Sequence, residues 1–360
     1  MRTRSQGRHD DAVNPEPRVD DEPLVIDGLS VEFRAADGGT QAVRDLHASL
    51  HAGRVVGVAG ESGSGKTTLA LAAMGLLPAG ARVTGSIRYG SVELLSLREK
   101  QLRKYRGRHI GMVFQETATA LNPLMRVGDQ LLMAMRAHVR GDKTELRARV
   151  VSALADVRLN DSDRILGSYP HELSGGQCQR IMIAMALGCG SRVLFADEPT
   201  TALDVSVQQE ILQLLRELVR ERRLAVMMIS HDLAVLAEIC DELLVMYRGE
   251  IVESGPIQEI LSRPSHPYTR ALLDCVPQLH GDRAPLPELP PSNPAEDAAG
   301  GCRFRSRCDF AVEACRRAPA LAPVQPAGAV RARCWRSGEL RAHGGDGLRA
   351  IDEQLEQQRA

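Results

Sequence analysis

The stretch Gly60-Glu61-Ser62-Gly63-Ser64-Gly65-Lys66-Thr67 holds the densest chemistry in the chain. Its spacing fits G-x-x-x-x-G-K-S/T. Gly60, Gly63 and Gly65 let the backbone curl with its N–H groups turned inward, around a phosphate. Lys66 supplies a point charge to the outer phosphates, and the Thr67 hydroxyl can ligate magnesium. Ser62, Ser64 and Thr68 complete the set of nucleotide-contacting residues. An apolar run (55–59) precedes the loop and a helical pattern (68–77) follows it. That strand–loop–helix context argues against a glycine-rich turn with an incidental lysine. The helix N-terminus adds its dipole to the anion site.

A second apolar run ends in Asp197 and is followed at once by Glu198. An acid at the end of a buried strand beside a phosphate loop suits magnesium coordination, so Thr67 and Asp197 form the expected ion site. Glu198 is placed to polarise the attacking water, as general base or as water-positioning group. Near the other end, Cys302, Cys308, Cys315 and Cys334 are separated by five, six and eighteen residues. There is no C-x-x-C pair, so the usual zinc-finger spacing is absent.

These side chains need a scaffold. Runs at 55–59, 110–114, 193–196, 225–229 and 243–246 are continuously apolar and are spaced by helical segments, which predicts a parallel sheet covered on both faces. Helical periodicity is clear over 146–157 and 209–223. Alternation over 24–33 and 83–89 predicts a small antiparallel section. The expected fold is α/β: a phosphate-loop ATPase core, a small antiparallel β section, a helical subdomain at about 116–172 and a small cysteine-rich C-terminal extension. The organisation reads as a disordered tail (1–23), an ATPase domain (24–276), a proline-rich linker (277–301), a cysteine-rich extension (302–335) and a polar tail (336–360).

Composition narrows the function further. The 360 residues carry 45 Lys+Arg and 46 Asp+Glu, a formal charge of −1. That gives no whole-protein field to draw in nucleic acid. No apolar run approaches the ~18 residues that span a bilayer. The N-terminus has no apolar core of a signal peptide, so a cytosolic protein is expected, with eight cysteines as thiols or metal ligands.

Leu173-Ser174-Gly175-Gly176-Gln177 is not explained by a generic nucleotide fold. Locally, Ser174 reads as a helix cap. With the phosphate loop and the acid-bearing strand, it makes the chain resemble the nucleotide-binding subunits of ABC transporters, over about 24–275. The motifs stand in that family's order. The resemblance implies that Phe33 stacks on adenine, that Gln115 reaches magnesium or the attacking water, and that His231 contacts the γ-phosphate. It implies that Ser174, Gly175, Gly176 and Gln177 cap the ATP of a partner subunit, with Asp204 at the dimer seam. Two subunits would close head-to-tail over two ATP molecules, and hydrolysis to ADP and phosphate would release them.

The wording at 197–205 (DEPTTALDV), 181–187 (IMIAMAL), Leu121-Asn122-Pro123 and 264–277 (PSHPYTRALLDCVP) resembles the di- and oligopeptide importer branch, which includes importers of nickel and related solutes. That branch implies two transmembrane permease subunits, a second ATPase that is a paralogue, an extracytoplasmic solute-binding protein, and a peripheral place on the cytoplasmic face of the membrane. The alternative is an accessory ATPase of a soluble catabolic complex of the phosphonate-breakdown type. Branch members also carry a C-x5-C-x6-C tail with a later fourth cysteine, implied to hold a 4Fe–4S cluster. Zinc and unligated thiols stay open beside it.

Overall fold

The computed structural model of the chain describes residues 24–34, 39–115, 120–201, 203–275, 300–342 and 351. Two sheets form the frame. One is antiparallel, from β1 (Leu24–Phe33), β2 (Thr40–Leu50), β4 (Ala81–Tyr89) and β5 (Val92–Glu93), in the order β2-β1-β4-β5. The other takes β3 (Val55–Ala59), β6 (Ile110–Val113), β7 (Val193–Asp197), β8 (Ala225–Ile229), β9 (Glu242–Tyr247), β10 (Glu250–Pro256), β11 (Ala322–Pro323) and β12 (Arg331–Ala332). Its order is β11-β12-β10-β9-β3-β8-β7-β6, with β9 through β6 parallel and β10, β12 and β11 antiparallel at one edge.

The apolar runs expected to be strands form the parallel part. Strands β3, β7 and β8 are buried at every residue, as strands covered on both faces must be. Alternate side chains serve two cores. Val55, Leu194, Ala196, Val226 and Met228 face one, shared with helices Gly175–Leu187, Val205–Arg222 and Leu233–Ile239. Val56, Val58, Phe195, Met227 and Ile229 face the other, shared with β1, β2, β4 and helix Lys66–Ala73. The phosphate-loop helix therefore lies between the two sheets.

Helices Val127–His138, Lys143–Asp156 and Ser162–Gly167 pack together through Leu131, Met135, Leu146, Val150, Leu154 and Ile165. Asp142 starts the second of them with a capping box, accepting from the N–H groups of Thr144 and Glu145.

The cysteine-rich segment is not a separate body. Strand β12 pairs with β10 through Glu253↔Ala332 and Ser254↔Arg331, extending the ATPase sheet. Phe304 is buried against Tyr247 and Tyr268, with ring centroids at 5.3 and 5.5 Å. The extension is poor in apolar residues, but Phe304, Val330 and Ala332 all fall on surfaces the ATPase domain supplies. Within the polar tail, Ser337–Ala342 is a helix with Leu340 buried. The N-terminal tail and nearly all of the proline-rich linker lie outside the described residues.

Candidate functional site

The phosphate loop runs from the end of β3 to helix Lys66–Ala73, clasped between the two sheets. Gly65 stands at the helix N-terminus with φ 106°, and a Cβ there would lie 2.3 Å from the carbonyl oxygen of Ala42 on β2. At Gly60, φ 150°, a Cβ would lie 2.2 Å from the carbonyl oxygen of Met246 on β9. Conformation and close approach both demand glycine at these two positions.

Lys66 is buried, and its Nζ donates to the loop's own carbonyls, Gly60 O at 2.7 Å and Glu61 O at 3.0 Å. Burial lowers its pKa, against the opposing pull of the Glu198, Asp197 and Glu61 carboxylates. Asp197 ends β7 beside it. Burial raises the Asp197 pKa, while a hydrogen bond with the Thr67 hydroxyl works the other way. Thr67 and Asp197 thus meet as the oxygen pair that a magnesium ion would use.

A cavity of about 440 Å³ opens over the loop. Ser62, Gly63, Gly65, Lys66, Thr67 and Thr68 line it on one side, with Ala42; Gln115, Glu198, Thr201 and His231 line the other. Glu198 follows β7 with φ 47°, and its N–H donates to Ile229 O at 2.9 Å. Its carboxylate accepts from His231 Nδ1 at 2.8 Å, from Thr201 Oγ1 at 2.8 Å and from Gln115 Nε2 at 3.2 Å. An ionised carboxylate only accepts, so the imidazole carries its proton on Nδ1. Burial alone would raise the Glu198 pKa. The hydrogen bonds from His231 and Thr201 outweigh it and hold the group below the usual carboxylate range. A base that is ionised at neutral pH and aimed at the phosphate loop fits water activation.

The sequence reading named Gln115, Glu198 and His231 but gave Thr201 no role. Its signal was the i+3 spacing from Glu198 inside Pro199–Asp204, which the motif wording masked. Ser64 lies in the loop, and its carbonyl accepts from Gly249 N–H at 2.8 Å.

The signature residues stand apart from this cavity. Ser174 Oγ accepts from Gln177 N–H at 3.3 Å, and Gln177 Oε1 accepts from Ser174 N–H at 3.2 Å, a reciprocal cap on helix Gly175–Leu187. Gly175 and Gly176 pack against Leu203 and Val207; a Cβ on Gly176 would meet Val207 Cγ1 at 2.5 Å. Asp204 is exposed and caps helix Val205–Arg222, accepting from Val207 N–H at 3.0 Å. Phe33 ends β1, packs against the core beneath the antiparallel sheet, and is not among the residues lining the cavity.

Cys302, Cys308, Cys315 and Cys334 line one small second cavity with Phe304, Phe310 and Trp335. All four are free thiols. Cys302 N–H donates to Cys315 O at 2.9 Å, and Arg336 N–H points at Cys334 Sγ at 3.4 Å. Among the described residues, no group of three or more His, Cys, Asp or Glu side chains is spaced to hold a metal ion.

Residues 43–201 match the family described as ABC transporter, and residues 252–315 match the oligopeptide/dipeptide transporter, C-terminal region. The chain is 45% identical over 318 residues to the oligopeptide transport ATP-binding protein OppD of Haemophilus influenzae, covering 88% of this chain and 98% of that protein. The chain belongs to the ABC transporter family. It is likewise 40% identical over 315 residues to the probable D,D-dipeptide transport ATP-binding protein DdpD of Escherichia coli, covering 87% and 96%. Among solved structures, the dimeric ABC transporter cassette MJ0796 superposes with a TM-score of 0.58 at 26% identity, over 65% of this chain and 98% of that one. A second structure of MJ0796 is a dimer in a post-hydrolysis state bound to ADP and phosphate, with the same TM-score of 0.58. This ABC subunit is therefore an ATPase of the peptide-transport type. The accessory-ATPase reading gives way to transport. Among the described residues no helix is long and apolar enough to cross a membrane.

Proposed function

We propose that this ABC subunit powers peptide import from the cytoplasmic face of a membrane, in complex with two permease subunits and a paralogous ATPase. An extracytoplasmic solute-binding protein delivers the peptide. Two nucleotide-binding subunits close head-to-tail over ATP, with Ser174, Gly175, Gly176 and Gln177 facing the partner's nucleotide and Asp204 at the seam. The observation that carries this reading is the convergence of His231, Thr201 and Gln115 on Glu198, opposite the phosphate loop. The signature turn opens a separate helix and leaves that cavity unlined on its side, which supports a role in trans. Phe33, at the end of β1, would meet the adenine only by swinging out from the core it packs against.

The loop holds the phosphates through its N–H groups and Lys66. Thr67 and Asp197 would hold magnesium, with Gln115 as a further oxygen donor, and the ion would supply charge neutralisation on the phosphates. Glu198 takes the proton from the attacking water. His231 and Thr201 fix which way its carboxylate faces. Reconstitution of the chain with its permeases, paralogue and binding protein in sealed vesicles tests the reading. ATP-dependent peptide accumulation is expected; ATP turnover that peptide-loaded binding protein never stimulates, with no uptake, overturns it.

The same reading places a 4Fe–4S cluster among Cys302, Cys308, Cys315 and Cys334. Four thiols line one aromatic-walled cavity and are the ligand type such a cluster takes, and they would have to draw closer together to hold it. It would tie the extension's loops together. Anaerobic purification followed by iron, sulfide and zinc analysis decides: zinc alone, or a metal-free chain with the extension intact, refutes the cluster.

A further inference from the structure

The loop between the first two cysteines reaches back to the phosphate loop. Arg307, one residue before Cys308, makes a two-pronged contact with Glu61, the second residue of the phosphate loop. Its Nη1 and Nη2 donate to the two carboxylate oxygens at 3.1 and 3.0 Å. The Arg307 side chain is 9% exposed, its guanidinium lies near the Tyr247 and Phe304 rings, and it donates also to Tyr247 Oη at 3.2 Å. A planar fork on a carboxylate fixes orientation as well as distance.

Glu61 is held at every polar group it owns. Its side chain is gripped by Arg307. Its N–H donates to Tyr268 Oη at 2.8 Å, so it points away from the phosphate side. Its carbonyl accepts from Lys66 Nζ at 3.0 Å and from Ser64 N–H at 3.1 Å. A shift of Glu61 therefore moves one of the two carbonyls, with that of Gly60, that seat Lys66. A second strut runs parallel to the first. Arg303, in the same cysteine loop, pairs with Glu250 at 3.0 Å and donates to Arg248 O at 3.0 Å. The next residue, Gly249, donates to Ser64 O in the phosphate loop.

We propose that Arg307 is a positioning residue for nucleotide binding: by fixing Glu61 it seats Lys66, so that the C-terminal extension completes the phosphate loop from outside. The relationship depends only on ATP binding at this loop, and stands whatever the four cysteines hold. It also gives the extension a task in the ATPase cycle, because any change that moves the 302–308 loop is delivered to Glu61.

The test is a double-mutant cycle on the full-length chain, with ATP affinity read by calorimetry. Arg307→Ala should weaken ATP binding about tenfold, the low end of the loss seen when the hydrogen-bond partner that orients a metal ligand is removed. Arg307→Lys, which keeps the charge and loses the fork, should fall between Ala and wild type. Glu61→Gln should show a similar loss, and Arg307→Ala with Glu61→Gln should be no worse than either alone. In the reconstituted transporter the loss should appear in KM for ATP, with kcat at saturating ATP retained. Accessibility of the four terminal thiols to a thiol reagent shows whether the extension stays docked. If Arg307→Ala undocks it, Arg307→Lys carries the test. Wild-type affinity in a docked variant, or additive losses from the two single substitutions, overturns the proposal.

Discussion

His231 Nδ1 lies 2.8 Å from Glu198 Oε1, joining a residue two positions past the end of β8 to the residue that follows β7. Parallel neighbours in register, with Asp197 opposite Ile229, bring their C-terminal ends to the same side of the sheet. The Glu198–His231 pair is thus a consequence of strand register, and Glu198 lines the cavity with its backbone at φ 47°.

Glu198→Gln keeps the shape and removes the base. ATP binding should persist while phosphate release falls by about 10²–10⁴-fold, the usual contribution of a general base. With its partner subunit and ATP, the variant should run as a stable dimer on gel filtration. Unchanged turnover would remove Glu198 from proton transfer.

His231→Ala tests the positioning half of the pair. Burial favours the protonated Glu198, and the His231 hydrogen bond is the first influence opposing it. Without it the Glu198 pKa rises, so the acidic limb of the kcat–pH profile should move to higher pH. At neutral pH kcat should fall, by roughly tenfold or more, with little change in ATP affinity. A profile that loses height without shifting its acidic limb would mean that His231 acts on the phosphate alone.

Gly65→Ala separates loop geometry from charge. The added Cβ meets the Ala42 carbonyl at 2.3 Å, backbone against backbone, in a conformation that L-residues rarely adopt. Nucleotide binding should be lost as fully as in Lys66→Ala, although every charged group remains. Wild-type ATP affinity in Gly65→Ala would show that the loop can widen.

Much of this site was legible in the sequence because its chemistry is local. The spacing of Gly60, Gly65, Lys66 and Thr67 dictates a phosphate cradle on its own, and the buried strands announce themselves as unbroken apolar runs. What stayed hidden depends on partners distant in sequence. Strand β2 is irregular, with three register shifts against β1, so its apolar residues Val43, Leu46 and Leu50 break the period of two. Arg307 gains its contact with Glu61 only when the extension docks beside Tyr247. Thr201 gains its role only once Glu198 is turned toward it.

Glu253 gives a stability prediction of known sign. It is fully buried on β10 and accepts from the N–H groups of Ser265 at 2.6 Å and His266 at 3.1 Å, at the start of helix Pro267–Asp274. Burial raises its pKa from 4.5 to about 7. The folded state thus binds more protons than the unfolded state between these values, and stability is lost as pH rises through the window. The shift corresponds to roughly 3 kcal/mol at 1.36 kcal/mol per unit. His266 runs the other way: burial lowers its pKa from 6.5 to about 3, so its contribution is present above 6.5 and lost as pH falls. The contributions of these two groups largely cancel between pH 4.5 and 6.5. Glu253→Gln breaks the balance. Its amide NH₂ faces a backbone donor, a pH-independent cost of about 1–3 kcal/mol. Relative to wild type, however, the variant should gain stability steadily from pH 4.5 to 7 as the ionisation cost of Glu253 disappears. Denaturant unfolding at a series of pH values reads the difference directly. A wild-type-minus-variant difference that stays constant across that window would show Glu253 to be ionised in the folded chain throughout.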